Sequence, residues 1–275
     1  MAYVKPDTVV DQMVQVGAQK SRLPVRDLLV RGFLSGAFLG FATTLAFTAS
    51  LQTRVGLVGA LVFPVGFVMI VPLGLELVTG NFVVVPLAVR EQRASAGALF
   101  SNWGWVFVGN LVGSVFYAAL FTLTLAPDAE IAKQIVAASE AKTLAYARLG
   151  AHGQVIALSK AILCNWMVTL GVVMALTSQS TGGKILAMWL PIMTFFAQGF
   201  EHSVVNMFVI PAGMLLGARV TVADWWLWNQ IPVTVGNVLG GLIFTGLALH
   251  YTYGKSGVRV AAVAPARGLA GDARA

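Results

Sequence analysis

The chain has 275 residues, of which 57% are hydrophobic and only 11% are charged, with a formal net charge of +7 and a mean hydropathy of +0.80. A soluble domain carries about twice that charged fraction, so the composition excludes an ordinary soluble fold. The basic residues are scattered between apolar blocks, which argues against a nucleic-acid partner and favours contact with anionic membrane lipids.

The N-terminal segment, residues 1–27, precedes the first long apolar block. It lacks the apolar core and the cleavage site of a secretory signal. Val9, Val10, Met13 and Val14 recur at helical spacing beside polar residues. This pattern predicts a short amphipathic helix on the cytoplasmic surface of a membrane, and it is equally compatible with a cap over a pore entrance.

Six apolar blocks follow, and each is long enough to cross a hydrocarbon core of about 30 Å. They predict transmembrane spans over 28–50, 57–89, 103–126, 155–177, 186–217 and 232–253. The second and fifth spans exceed one crossing and carry polar residues midway, which predicts broken helices near 76–81 and near 200–203. The tail at 254–275, rich in Ala, Gly and Arg, is predicted to be disordered and cytoplasmic.

The basic residues near the span ends predict the orientation of the chain. With the N-terminus inside, twelve lysines and arginines lie on the cytoplasmic side and five lie outside, so both termini are expected in the cytoplasm. The single cysteine, Cys164, falls in the middle of span four and offers no disulfide or thiolate metal site. No nucleotide-binding motif is present, so we expect no cofactor, no metal and no coupling to nucleotide hydrolysis.

Two stretches 125 positions apart resemble each other, ELVTGNFVVVP at Glu76–Pro86 and EHSVVNMFVIP at Glu201–Pro211. The similarity extends to the flanking spans, so residues 28–126 resemble residues 155–253. Because three spans are an odd number, the second half enters the membrane from the opposite side. The sequence therefore predicts an inverted repeat whose two breaks face each other.

Four ionisable groups lie deep inside the predicted spans, where charges are rare and usually line a cavity: Glu76, Lys160, Glu201 and His202. His202 can change protonation near neutral pH, which suits transfer of a proton to a weak-acid anion. Lys160 is interpreted as an attractor of anions, with a structural ion pair to a Glu as the alternative. Glu76 and Glu201 are expected to accept hydrogen bonds from loop N–H groups and to fix the shape of each break.

The half-helices that follow the breaks begin with unpaired N–H groups and the positive end of a helix dipole. Thr79 and Asn81 in one half, and Ser203 and Asn206 in the other, are therefore candidate caps or anion ligands. The repeated Gly-Asn pairs, Gly109-Asn110 and Gly236-Asn237, are interpreted as close helix packing with an interhelical hydrogen bond.

Four motifs occur in order along the chain: ELVTGN in span two, KAILCNW at 160–166, FEHSVVNMFVIP at 200–211 and NQIPVTVGNVLGG at 229–241. Over residues 7–253 the chain resembles the formate/nitrite transporter family. The resemblance implies an all-α, aquaporin-like protomer with six transmembrane helices, of which the second and fifth are broken. It also implies a homopentamer with one substrate path through each protomer.

The resemblance also implies roles for individual residues. His202 corresponds to the central pore histidine, Thr79 to the polar residue of the loop in span two, and Asn165 to the residue facing the histidine. Lys160 corresponds to a basic residue at a vestibule. Apolar constrictions map to Phe63 and Phe67 with Phe195 on one side, and to Leu77 on the other. Some members carry a smaller aliphatic residue at the position of Phe67, so this chain is expected to have a tighter or differently selective gate.

The expected function is transport of a small monovalent weak-acid anion across the cytoplasmic membrane of a bacterium or archaeon. Formate is the first expectation and nitrite the second, while hydrosulfide, lactate and acetate also fit. An anion channel and an anion/proton symporter remain equally open. A neutral-solute channel of aquaporin type is expected to show two Asn-Pro-Ala turns, which neither break contains. An enzyme would need a nucleophile with a base or a metal cluster, and no such set surrounds His202.

Overall fold

The computed structural model describes residues 3–126 and 128–254. Within these ranges the chain is helical apart from turns, loops and one isolated β-bridge between Tyr3 and Ser178. The predicted all-α class is therefore confirmed. Of the predicted tail at 254–275, all residues after Gly254 lie outside the described part of the chain.

The elements follow one another with short connections. In chain order they are α1 (Pro6–Lys20), α2 (Val25–Thr53), α3 (Gly56–Val62), α4 (Val65–Ile70), α5 (Val78–Arg90), α6 (Ala96–Thr122), α7 (Glu130–Lys142), α8 (Leu144–Arg148), α9 (Ala151–Leu176), α10 (Thr181–Ala197), α11 (Ser203–Leu215), α12 (Val222–Trp225), a π-helical turn (Trp226–Gln230), α13 (Ile231–Leu239), a second π-helical segment (Gly240–Leu247) and α14 (Ala248–Tyr253).

Within the described residues, four helical segments are long and apolar enough to cross a membrane: α2, α6, α9 and the continuous segment Val222–Tyr253. The shorter apolar helices form two consecutive pairs, α3–α4 followed by α5, and α10 followed by α11. These pairs correspond to the predicted second and fifth spans. A count of six crossings requires that each pair forms one crossing, and this count stays a prediction.

The two breaks share a glycine turn of the same conformation. Residues 71–77 separate α4 from α5, and residues 198–202 separate α10 from α11. Each contains a glycine in the left-handed region, Gly74 with φ 64° and Gly199 with φ 62°. A glycine adopts this conformation without the steric penalty of a Cβ atom, so it ends a helix readily.

The first break begins earlier than the sequence predicted. Leu75 donates its backbone N–H to Ile70 O at 3.1 Å, and Phe200 donates to Phe195 O at 3.1 Å, so each glycine closes the preceding helix in the same way. Thr79 lies beyond the break, in the first turn of α5. Thr79 and Asn81 therefore follow the interruption and Glu76 lies inside it, because Gly74 ends the preceding helix.

Helix α1 is packed against protein on its apolar side. Val10 and Met13 are buried, and they belong to a cluster with the core of α5. Gly17 lies so close to the carbonyl of Val84 in α5 that a Cβ atom would overlap it. The side that the sequence predicted to rest on a membrane surface is instead covered by α5.

Glycines bring the long helices into close contact at corresponding places. A Cβ atom at Gly109 of α6 would lie 2.8 Å from the carbonyl oxygen of Leu29 in α2, and one at Gly236 of α13 would lie 2.7 Å from that of Leu158 in α9. The asparagine that follows each glycine donates a hydrogen bond to a carbonyl of the same partner helix. The predicted close packing with an interhelical hydrogen bond is therefore confirmed in each half.

Candidate functional site

His202 joins the two breaks. It is the N-cap residue of α11, and its Nδ1 accepts a hydrogen bond from the backbone N–H of Val205 at 3.2 Å. Because Nδ1 is an acceptor, the neutral ring carries its proton on Nε2. Nε2 lies 3.1 Å from Thr79 Oγ1, so the imidazole donates to that hydroxyl. Both side chains are buried, which places a polar contact between the starts of α5 and α11.

Leu77 occupies the matching position in the first half. It is the N-cap residue of α5, with φ −117° and ψ 118°, while His202 has φ −112° and ψ 119°. The two halves of the repeat therefore carry different side chains at the same backbone position, the isobutyl group of Leu77 and the imidazole of His202. Leu77 is 4% exposed. Its position at an apolar constriction stays a prediction.

Asn165 of α9 contacts the same region from a third helix. Its Nδ2 donates to the carbonyl oxygens of Thr79 at 3.1 Å and Asn237 at 2.6 Å. These two acceptors fix the orientation of the amide, because the opposite orientation would set Oδ1 against two carbonyl oxygens. Oδ1 is buried and receives no hydrogen bond from any described residue.

Aromatic rings pack next to His202. The ring of Phe195 stacks on the imidazole with centroids 5.6 Å apart and an interplanar angle of 21°. Phe63 meets Phe195 edge to face at 5.6 Å and stacks on Phe196 at 4.0 Å. The structure thus brings Phe63, Phe195 and His202 together. Phe67 is also fully buried, on α4, but among the described residues it forms no ring pair with this group.

Glu76 lies in a network that the first half builds from three elements. Its carboxylate accepts from Lys20 Nζ at 2.6 Å and from Asn81 Nδ2 at 2.7 Å. Asn81 Nδ2 also donates to Asn102 Oδ1 at 2.9 Å, and Asn102 Nδ2 donates to the carbonyl of Lys20 at 3.1 Å. Lys20 is 21% exposed, whereas the carboxylate is 2% exposed.

Glu201 has the same network in the second half. It accepts from Lys142 Nζ at 2.9 Å and from Asn206 Nδ2 at 2.7 Å. Asn206 also donates to Asn229 Oδ1 at 2.8 Å, and Asn229 donates to the carbonyl of Lys142 at 2.9 Å. The second carboxylate has a further donor, the hydroxyl of Tyr146 at 2.8 Å. Asn229 Nδ2 also donates to the Glu201 carboxylate at 3.3 Å. Apart from these two additional donors, the second network repeats the contacts of the first.

The loop N–H groups have other partners than the sequence predicted. The backbone N–H of Val78 donates to Asn110 Oδ1, and that of Ser203 donates to Asn237 Oδ1, both at 2.9 Å. The acceptors expected there were Glu76 and Glu201, which instead accept from side chains. The prediction was wrong because an asparagine on the neighbouring long helix accepts the hydrogen bond from the loop N–H. Each carboxylate accepts hydrogen bonds from a lysine and a second asparagine instead.

The network also assigns α1 and α7 to the repeat. Lys20 is the last residue of α1 and Lys142 is the last residue of α7. Helix α1 packs on α5, and α7 packs on α11, where Ser139 lies against Gly213. Each half of the repeat therefore includes a leading helix that lies before the predicted 28–126 and 155–253, α1 in the first half and α7 in the second.

Lys160 lies on α9 and is partly buried. Its Nζ is 5.9 Å from the centroid of the Tyr146 ring. No carboxylate of the described residues forms an ion pair with it, since Glu201 is paired with Lys142 instead. The structure therefore does not show the alternative in which Lys160 neutralises a Glu.

Sequence reasoning missed Lys20, Lys142, Asn102 and Asn229. The two lysines fall outside the predicted spans, and only ionisable residues inside a span were considered as candidates. One signal was available, because Asn102 and Asn229 have the same 127-residue separation as Asn110 and Asn237. A systematic comparison of polar residues at the repeat offset would have found the asparagine pair.

Comparisons with known proteins agree with this architecture. The family model described as formate/nitrite transporter matches residues 7–251. A probable formate transporter of Methanothermobacter thermautotrophicus is 41% identical over 256 residues, which cover 86% of this chain and 92% of the relative.

Solved structures share the fold. An ion channel of the FNT family superposes with a TM-score of 0.77 at 28% identity, covering 89% of this chain and 98% of the channel. A pentameric formate channel solved with formate bound gives a TM-score of 0.70 at 24% identity, covering 83% and 97%. Because the family match spans nearly the whole described chain, this protein belongs to the formate/nitrite transporter family.

Proposed function

We propose that this chain conducts a small monovalent weak-acid anion, formate first, along a path that passes His202 and Thr79 in each protomer. The observation that carries the proposal is the buried hydrogen bond between His202 Nε2 and Thr79 Oγ1. It lies where two interrupted helices begin, and such half-helix starts favour anionic groups. Nε2 is the ring nitrogen that α11 does not use, because Nδ1 caps that helix.

The cost of moving a charge through a dry constriction favours passage of the neutral acid. A carboxylic acid has a solution pKa of about 4, and a low dielectric raises the protonated fraction. The proton comes from water, or from a His202 ring that has first taken up a second proton from water and returns to neutral imidazole when it passes one on through Thr79. Its source decides between an anion channel and an anion/proton symporter.

The remaining site residues have supporting roles in this proposal. Lys160 raises the local anion concentration at one entrance, since no carboxylate of the described residues neutralises it. Phe63, Phe67 and Phe195 narrow the path on one side, and Leu77 narrows it on the other. The shape of the two breaks is held by the side-chain networks of Glu76, Asn81, Glu201 and Asn206.

The assembly is proposed to be a homopentamer in the cytoplasmic membrane of a bacterium or archaeon, with both termini in the cytoplasm. Support comes from the fold shared with a pentameric formate channel and from the excess of basic residues on one side of the predicted spans. Formate is preferred to nitrite because the relative in Methanothermobacter thermautotrophicus is a probable formate transporter.

Uptake into proteoliposomes tests the proposal. The parent and His202→Phe are reconstituted, and entry of labelled formate and nitrite is followed with and without an imposed pH gradient. We expect formate to enter the parent vesicles faster than empty liposomes and His202→Phe to slow it. The proposal fails if neither anion enters faster than through lipid alone, and the proton-donor role fails if the gradient and the substitution have no effect.

A further inference from the structure

An apolar groove lies between α2 and α6, two of the helices that are long enough to cross a membrane. Its volume is about 280 Å³, and it is lined by Leu29, Val30, Phe33, Gly109 and Val112. Val30 and Val112 are 56% and 53% exposed, so the described part of the chain does not cover the groove. An exposed apolar surface of this kind indicates contact with a membrane or with another protein.

The two helices run in the same direction along the groove. Gly32 contacts Gly109, and further along the chain Gly40 contacts Tyr117. Phe33 lies against Phe116, with ring centroids 5.3 Å apart. This ring pair therefore lies at the end of the groove nearer the helix C-termini, and the other end faces the helix N-termini.

The N-terminal end of the groove carries an arginine and a tryptophan. Arg26 precedes Val30 by about one turn on the same face of α2, and its side chain is 87% exposed. Trp105 precedes Gly109 by about one turn on the same face of α6, and it is 41% exposed. Tryptophan favours the boundary between water and hydrocarbon, and arginine binds phosphate.

The net charge at this end is positive. Arg26 Nε lies 3.4 Å from Asp27 Oδ1, and Arg31 Nη2 lies 3.5 Å from Asp27 Oδ2. One carboxylate thus faces two guanidinium groups. Because a guanidinium has five N–H donors and Arg26 directs one of them at Asp27, the others can bind an anion from outside the chain.

The second half of the repeat shows that the fold does not require these two residues. The glycine contacts between the long helices pair position 29 with 158 and position 109 with 236. At the same offsets Arg26 corresponds to Val155, and Trp105 corresponds to Pro232. The helices of the second half therefore pack together with neither an arginine nor a tryptophan at these places.

We infer that the groove between α2 and α6 binds an anionic phospholipid. Arg26 holds the phosphate, Trp105 lies beside the glycerol region, and one acyl chain lies along Val30 and Val112. Since a helix rises 1.5 Å per residue, the distance along α2 from Arg26 to Phe33 is about 10 Å. That length fits within one leaflet of a hydrocarbon core about 30 Å thick.

A second copy of the chain matches this surface less well than a lipid does. The core of a protein interface is depleted of charged residues, so a copy seated on the groove would have to supply an acidic partner for Arg26. An anionic phospholipid has its negative charge and its apolar chain in one molecule. It satisfies the arginine and the groove together.

Native mass spectrometry of the full chain in neutral detergent measures lipid binding. The lipids are phosphatidylglycerol and phosphatidylcholine with identical acyl chains, and glycerol 3-phosphate represents the headgroup alone. The variants are Arg26→Gln and Val112→Phe. Arg22→Gln is the charge control, since Arg22 is exposed in the loop before α2. Leu120→Phe is the control for added volume, because Leu120 is 49% exposed further along α6.

We expect phosphatidylglycerol to bind the parent more tightly than phosphatidylcholine, and glycerol 3-phosphate not to compete. Arg26→Gln should weaken phosphatidylglycerol binding about fivefold, the contribution of one basic residue at an anionic lipid surface, and should weaken phosphatidylcholine binding less. Val112→Phe should weaken the binding of both lipids, because the larger side chain fills the groove. Both control variants should bind like the parent.

The inference is overturned if the two lipids bind the parent equally, or if Arg22→Gln weakens binding as much as Arg26→Gln. Displacement of the lipid by glycerol 3-phosphate would also overturn it, since a free anion would then be the ligand. Loss of assembly mass in Val112→Phe with unchanged lipid binding would assign the groove to a second copy instead.

If Val112→Phe does not fold, the exposed substitution Arg26→Gln and the comparison of the two lipids still decide. Binding is measured without transport, so a failure of this inference is distinct from a failure of the proposed function.

Discussion

Gly74 and Gly199 lie 125 positions apart and adopt the same left-handed conformation, with φ 64° and 62°. Each ends the first half of an interrupted helix, and each is followed within a few residues by the N-cap of the second half. The positions of Leu77 and His202 therefore depend on a backbone turn that only glycine adopts without strain.

Replacing either glycine by alanine is expected to destabilise the protein. A residue with a Cβ atom costs about 1–2 kcal/mol in the left-handed region. No atom lies within 4 Å of a Cβ at Gly74 or Gly199. The loss of stability would therefore come from the strained backbone conformation and not from a steric clash. Thermal unfolding of the purified protein in detergent measures the effect.

Gly104→Ala is the matched control. Gly104 lies inside α6, and a Cβ there also meets no atom within 4 Å. Because alanine is favoured over glycine in a helix, stability should stay unchanged or rise slightly. Equal loss in Gly104→Ala and Gly74→Ala would refute a conformational cause.

His202 has two separable tasks, which two substitutions distinguish. His202→Asn retains an acceptor for the N–H of Val205, since asparagine is a favoured N-cap, but its side chain is too short to replace Nε2. His202→Phe loses both. We expect the Asn variant to keep most of its stability and the Phe variant to lose about 1 kcal/mol.

Formate uptake should fall about tenfold or more in both variants, because removal of one preorganised donor has an effect of that order. Thermal unfolding and proteoliposome uptake are measured on the same preparations. Uptake at the parent rate by His202→Asn would show that the capping bond, and not the Nε2 donor, is the essential one.

The ion pair between Lys142 and Glu201 should be much more important for stability than a surface pair. Lys142→Met leaves an almost fully buried carboxylate without its cation, and loss of one partner of a buried pair costs about 3–5 kcal/mol. The cost is reduced here because Lys142 itself is 20% exposed.

Lys133→Met is the comparison, since Lys133 and Glu130 are 62% and 73% exposed in the same helix α7. Its effect should be within about 0.5 kcal/mol. Denaturation in detergent gives both values. Restoration of stability by the double variant Lys142→Met with Glu201→Gln would identify the unpaired charge as the cause.

Lys160→Met should lower formate uptake at low substrate concentration and leave the maximal rate nearly unchanged. The proposed task of Lys160 is to raise the local anion concentration, and this effect is weakened by salt. The rate is measured against formate concentration at two ionic strengths, with Lys133→Met as control. An unchanged concentration dependence would leave Lys160 with a packing role over Tyr146.

Much of the fold was readable from the sequence because the repeat is conserved in residue type at the breaks. The stretches beginning at Glu76 and Glu201 predicted two interrupted helices, and His202 was singled out as an ionisable group at one of them. The structure confirms the interruptions and places His202 against Thr79. An interruption can be predicted from a short stretch of sequence because it depends on a glycine turn and on hydrogen bonds between residues five positions apart.

The partners of the buried carboxylates could not be predicted in the same way. Lys20 and Lys142 lie 56 and 59 residues from Glu76 and Glu201, so their contacts depend on how whole helices pack. The same holds for α1, whose amphipathic pattern indicates an apolar partner but does not distinguish lipid from α5. Hydrophobic periodicity identifies a buried side and does not identify what covers it.

The equivalence of α1 and α7 has an electrostatic consequence. Each half supplies its own cation, Lys20 for Glu76 and Lys142 for Glu201, so neither buried carboxylate depends on the opposite half for neutralisation. A substitution at one lysine is therefore expected to disturb one break and to leave the other intact.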